Sequence, residues 1–237
     1  MVIERPCGGV GHMHIPILLN TGHWLAVNKP AGLNFHSEDG EAGLVALLRQ
    51  QLGCELFAVH RLDKLTSGIV LFGKSPAAAN QLAEQLRNRQ MQKFYIALSD
   101  QKPGKKQGAI IGDMAKSRNG TWRLTRSKDN PAITRFFSWG LDNGLRLFLL
   151  QLHSGKTHQL RVEMKSLGAP VLGDVAYGAR AEVDRGYLHA WAVRFAFEGD
   201  AIELICPPTE GAAFADPALQ QQLAVINPPW ALPWPKR

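Results

Sequence analysis

The chain has 237 residues, 45% of them hydrophobic, with three cysteines and a formal net charge of +7. That length fits one large domain or two small ones sharing a core. No apolar run approaches the roughly 18 residues that a membrane span requires, and no secretory leader is visible at the start. Cys7, Cys54 and Cys206 are widely spaced. They suit a reducing cytoplasm and suggest neither a disulfide framework nor a zinc site. The basic balance favours an acidic partner, of which nucleic acid is the usual one, although a merely basic soluble protein carries the same charge.

Residues 1–14 are glycine-rich and aperiodic and read as a loose arm. His12 and His14 lack a carboxylate or cysteine at ligand spacing, so a metal pair is not expected there. Residues 15–19 and 24–27 read as two strands around the turn Asn20, Thr21, Gly22, His23. Pro30 ends the second strand and Gly32 permits a tight bend. That loop would leave Lys29 at a sheet edge, open to a phosphate. Residues 43–51 show a short apolar helix pattern with Leu44, Leu47 and Leu48 on one face.

Residues 57–72, FAVHRLDKLTSGIVLF, form the central stretch. Two apolar runs read as short buried strands, and a polar loop lies between them. The loop carries His60, Arg61, Asp63, Lys64, Thr66 and Ser67. A carboxylate clamped between strands is held as a catalytic Asp requires. The same composition also suits an ordinary turn.

Ser75 and Pro76 mark a helix start, as N-cap and first helical residue, and the apolar spacing continues to Asn88. Arg87 and Arg89 at its far end suit the helix dipole and could meet phosphate. Residues 92–98 form a strand whose alternation puts Lys93, Tyr95 and Ala97 opposite Phe94, Ile96 and Leu98. Residues 102–128 carry eight Lys or Arg against one acidic residue, Asp113. They read as a solvated hairpin excursion or as a basic flap on a phosphate backbone, with Trp122 available for stacking. Residues 132–139 and 145–152 pair around Asp142, Asn143 and Gly144.

Thr157 is the expected N-cap of a helix reaching Leu167 and stopping at Gly168, with Leu160, Met164 and Leu167 facing the core. Arg161 in its first turns can hold a carboxylate bidentately. His158 nearby suits either a hydrogen-bonded structural role or a catalytic one. Residues 187–197 are a strong strand pattern. From Asp216 a short helix precedes a Pro/Trp tail expected to pack on the body. Runs of strands with few helices give an α+β class, a mixed and largely antiparallel sheet with flanking helices.

Several segments, in order, resemble the RluA family of pseudouridine synthases. They are VNKPAGL, HRLDKLTSGIVLF, KFYIA, SGKTHQLRVEMKSLGAPVLGDVAYG and LHAWAVRF, within residues 15–206. Lys156 stands where that family usually has Arg, and Glu163 where it usually has His. The resemblance implies two half-domains around a central cleft, without an S4-type RNA-binding domain. The catalytic domain would span residues 15–215, with 102–128 as a basic flap and 216–237 as a packing tail.

The resemblance also implies isomerisation of uridine to pseudouridine in ribosomal or transfer RNA, with no cofactor and no metal. Asp63 would start the reaction on a flipped-out uridine. Arg161 would pair with Asp63, and Tyr95 would stack on the uracil and help remove the C5 proton. Arg61 would brace the vacated stack. Lys29, Lys93 and Lys156 are candidate phosphate contacts, and His60 and Thr66 complete the RNA-binding set. A cytoplasmic monomer is expected. Two other readings stand beside this one. The first is a catalytically silent RNA-binding protein on the same fold. The second is a metal-dependent hydrolase built from His60, His153, His158 and His189, which no HxxxH or HExxH spacing supports.

Overall fold

The computed structural model describes residues 13–236. His12 and most of the expected N-terminal arm therefore lie outside the described residues. The elements run β1 (Ile17–Asn20), β2 (Trp24–Lys29), α1 (Leu44–Leu52), β3 (Phe57–Ala58), β4 (Ser67–Gly73), α2 (Pro76–Arg87) and β5 (Gln92–Ser99). There follow β6 (Gln107–Gly112), β7 (Met114–Lys116), β8 (Trp122–Leu124), β9 (Ala132–Gly140), β10 (Arg146–Leu152), α3 (Gln159–Ser166), β11 (Leu188–Phe197), β12 (Asp200–Ile205) and α4 (Pro217–Val225).

The main sheet has the order β1-β2-β4-β11-β5-β10-β9-β6, with β12 added to β11 and β3 to β4. Its pairings are antiparallel except β4 with β11. That parallel junction joins the two halves through a short register, His189 opposite Ser67 and Ala190 opposite Gly68. Gly68 has φ +107°, and a Cβ there would sit 2.3 Å from the Ala190 carbonyl oxygen. A side chain would force the two strands apart. Ser67 Oγ lies 2.7 Å from His189 Nδ1, whose other nitrogen meets the Cys206 carbonyl at 2.7 Å. Burial pulls His189 down to about 4, so it stays neutral and ties the seam.

Alternation along β5 divides the core as the sequence predicts. Tyr95 and Ala97 face one cluster, with Phe72, Phe148, Leu150 and the helical residues Leu44, Leu48, Leu160 and Met164. Phe94, Ile96 and Leu98 face the other, with Trp191, Phe214, Leu219 and Leu223. The C-terminal tail packs there, Trp230 and Trp234 meeting Phe94 at 6.2 and 5.6 Å between ring centres. Ser75 caps α2 by accepting from the Ala78 N–H at 3.2 Å.

Three local expectations change. The strand at residues 57–59 shrinks to two residues of β3 at the margin of β4, with Ala58 exposed. The basic excursion is narrower than residues 102–128: β6 belongs to the main sheet, and β7 and β8 alone form a separate two-stranded ribbon. The N-cap of α3 is His158, not Thr157, with a left-handed φ of 55° and no side-chain cap bond. No helix among the described residues is long and apolar enough to cross a membrane.

Candidate active site

Asp63 lies in the loop between β3 and β4, with its side chain 24% exposed. The Thr66 N–H donates to the Asp63 carbonyl at 3.0 Å, and the Gly32 N–H to the Lys64 carbonyl at 2.8 Å. The two polar loops predicted from sequence are thus stitched together. The open cleft above them, about 510 Å³, is lined by Asp63, Tyr95, His60, Lys93, Lys156 and Arg161, among others. That volume suits a small ligand such as one nucleoside.

Lys29 departs from its expected place. It is fully buried, and its ammonium donates to the carbonyls of Pro30 at 2.9 Å, Lys64 at 3.3 Å and Thr66 at 2.8 Å. Burial first, and then the Arg185 charge, pull it down to about 7. It is therefore a clamp on the loop bearing Asp63, not a phosphate contact. The sequence places Lys29 at a strand end, where exposure is the usual state. What covers it is the loop folding back, which no local pattern records. Thr66 is also buried, at 3% exposure, and supplies one of those carbonyls. Replacing Lys29 by Met leaves three carbonyls without their donor. The expected cost is about 1–3 kcal/mol of stability and a lower kcat, with the salt dependence of RNA binding unchanged. Loss of a phosphate contact would instead reduce the salt slope by about one.

His60 is structural too. Its Nε2 accepts from the Leu71 N–H at 3.2 Å. Burial, then the Lys93 charge, lower it to about 3, so it offers no cation to RNA. His158 Nδ1 lies 2.8 Å from the Tyr177 hydroxyl, and burial lowers its affinity for a proton. His189 is held in the seam, and His153 lies 3.1 Å from Arg135 Nε. The four histidines of the hydrolase reading do not converge, and among the described residues no group of three or more His, Cys, Asp or Glu could hold a metal.

Arg161 does reach Asp63, with Nη1 at 3.4 Å from Oδ2. Its bidentate partner is another residue, Asp174: Nε donates at 2.7 Å and Nη2 at 2.9 Å. Asp174 is 2% exposed and was missed, because Gly173–Asp174 reads from sequence as turn composition. The guanidinium also lies 4.8 Å from the centre of the Tyr177 ring. Two groups, Asp174 and Tyr177, therefore fix Arg161, and its Nη1 is left for Asp63. The pair of oppositely charged carboxylate partners explains how a buried arginine is tolerated.

Tyr95 lines the cleft and is 6% exposed. Burial, then the negative charge of Asp63, push its phenol upward, so it keeps its proton at neutral pH. Lys93, two residues earlier on the same face, is lowered by burial to about 8. Among the described residues nothing pairs with its ammonium. Arg61 is exposed and likewise unpaired, at the boundary between the cleft and a second groove on the far side of Asp63.

The site is thus a carboxylate beside a guanidinium, lining an open cleft of about 510 Å³, and the sequence says which class of enzyme carries it. The chain belongs to the RNA pseudouridylate synthase family, whose pattern matches residues 23–166. Over 215 residues it is 43% identical to an RNA pseudouridine synthase of Haemophilus influenzae, covering 90% of this chain and 96% of that one. It is 31% identical over 190 residues to tRNA pseudouridine synthase C of Pasteurella multocida, covering 70% and 75% of the two chains. Human RNA Pseudouridylate Synthase Domain Containing 1 shares the fold, with a TM-score of 0.75 over 97% of this chain and 100% of that one at 23% identity. The protein is an RNA pseudouridine synthase, and its α+β fold is that of the family.

Proposed function

We propose that the protein acts on a uridine in structured cellular RNA, ribosomal or transfer, in the cytoplasm, and that Asp63 starts the reaction. The N1–C1′ bond breaks, the uracil turns while held, and C5 bonds to C1′. The C5 proton leaves and N1 gains one, so the product is an isomer and no redox partner is consumed. Asp63 attacks C1′, adds to the ring or removes a sugar proton; each route begins from a carboxylate.

The observation that carries this reading is the Arg161–Asp63 contact in an open cleft that Tyr95 also lines. The Tyr95 ring stacks on the uracil. Because its phenol holds its proton, taking the C5 proton requires that its own leave first or at the same moment. Extrusion of the uridine costs a few kcal/mol, and Arg61 fills the vacated stack.

Mapping pseudouridine in total RNA with and without this gene tests the proposal. At least one uridine should lose its modification and regain it when purified protein is added. RNA that is unchanged in both experiments would sink it. Arg61, Lys93 and Lys156 are among the cleft cations available to phosphate, Arg87 being another. Three such contacts give a log–log salt slope of about −2 for single-stranded RNA, or roughly twentyfold weaker binding between about 50 and 200 mM salt. Filter binding across that range reads the slope, and a flat response counts against the phosphate assignments.

A further inference from the structure

Beside the catalytic cleft lies a second recess of about 450 Å³, walled by Asp113, Met114, Trp122, Asn130 and the loop at residues 155–157. That loop, with Lys156, is shared with the cleft itself. The recess is built and not accidental. Asp113 accepts from Ser127 Oγ at 2.8 Å and from the N–H groups of Asp129 at 3.1 Å and Asn130 at 3.0 Å. Three bonds to one carboxylate fasten the turn that presents Asn130. The Trp122 N–H donates to the Tyr177 hydroxyl at 3.0 Å, which moors the ribbon strand to the site.

Lys156 Nζ lies 2.7 Å from Asn130 Oδ1. An ammonium only donates, so the amide atom facing it is the oxygen, and the amide nitrogen points elsewhere. Among the described residues that nitrogen has no partner. Asn130 Nδ2 and the remaining N–H groups of Lys156 Nζ are thus donors carried by residues that line the recess, beside Trp122.

We propose that this recess takes a base flanking the target uridine and favours guanine. The inference rests on the proposed function and adds a specificity-determining site to it. Guanine offers two adjacent acceptors, O6 and N7, to such donors. On that same Hoogsteen edge cytosine and adenine present an amino donor, which meets donors, and uracil presents a single acceptor. Unpaired RNA bases can expose these edges and stack on an aromatic ring. A phosphate would satisfy the donors but draw nothing from Trp122.

The test uses short stem-loops carrying the uridine assigned by mapping, with each of the four bases at the positions on either side. Wild type should favour guanine at one flanking position by roughly tenfold in kcat/KM. Asn130→Ala and Trp122→Ala should each erase the preference by raising KM for the guanine substrate while kcat holds. Equal conversion of all bases, preference for another base, or a guanine preference surviving both substitutions overturns the inference. Weakening by the same factor for every base also overturns it, because that marks a phosphate contact. A wild type that converts all variants equally sinks the base recess and leaves the isomerase standing; one that converts none sinks both.

Discussion

Asp63→Asn is expected to lower pseudouridine formation by about a thousandfold or more, the scale on which positioned acids, bases and nucleophiles act, while the protein stays folded and holds RNA. The second half of that statement comes from Asp174. Had Asp63 been the sole partner of Arg161, its removal would strand a buried cation at a cost of about 3–5 kcal/mol. Asp174 already binds that guanidinium through two bonds. Asn fills the same volume and keeps an oxygen for Nη1. The melting temperature should therefore stay close to wild type, and RNA affinity should hold or rise slightly as a negative charge leaves the cleft. Single-turnover assays on the mapped RNA, with binding and melting on the same preparation, separate the outcomes. Residual activity near wild type would remove Asp63 from the mechanism. Inactive wild type with intact binding would favour the silent RNA-binding reading.

The parts of this site that were legible in the sequence are those fixed by short-range pattern. Strand alternation put Tyr95 and Lys93 on one face of β5, and both line the cleft. Helix spacing put Leu160 and Met164 inward, which turns Arg161 towards Asp63. What was not legible depends on chain segments far apart in sequence. Lys29 is a clamp because residues 64 and 66 fold over it. Asp174 is an ion-pair partner because the segment after α3 returns beneath Arg161. His158 caps α3 in a left-handed conformation, which residue type alone does not favour, and its ring is held by Tyr177. Buried polar contacts of this kind have no period along the chain, so composition reads them as turns and exposed charges.

Glu163 shows how such a contact sets a pH response. It lies on α3, fully buried, two residues after Arg161. Its Oε1 accepts from Gln159 Nε2 at 3.3 Å, and its Oε2 meets no hydrogen-bond partner among the described residues. Burial pushes the carboxyl up to about 8, against smaller opposing effects from Thr134 and Gln159. At neutral pH it is a neutral acid, able to donate and to accept.

In the unfolded chain the same group ionises near 4.5. Below that value it is protonated in both states and contributes no penalty. Between about 4.5 and 8 unfolding releases a proton, so stability falls as pH rises, by about 1.4 kcal/mol per unit. Above about 8 the loss is complete. Glu163→Gln keeps the shape and the acceptor but cannot ionise. Urea unfolding at pH 5 should find variant and wild type within about 1 kcal/mol. At pH 8.5 the variant should be the more stable by about 2–5 kcal/mol. A difference that is the same at both pH values would show that the carboxyl is ionised in the folded protein throughout, or never ionised in either state.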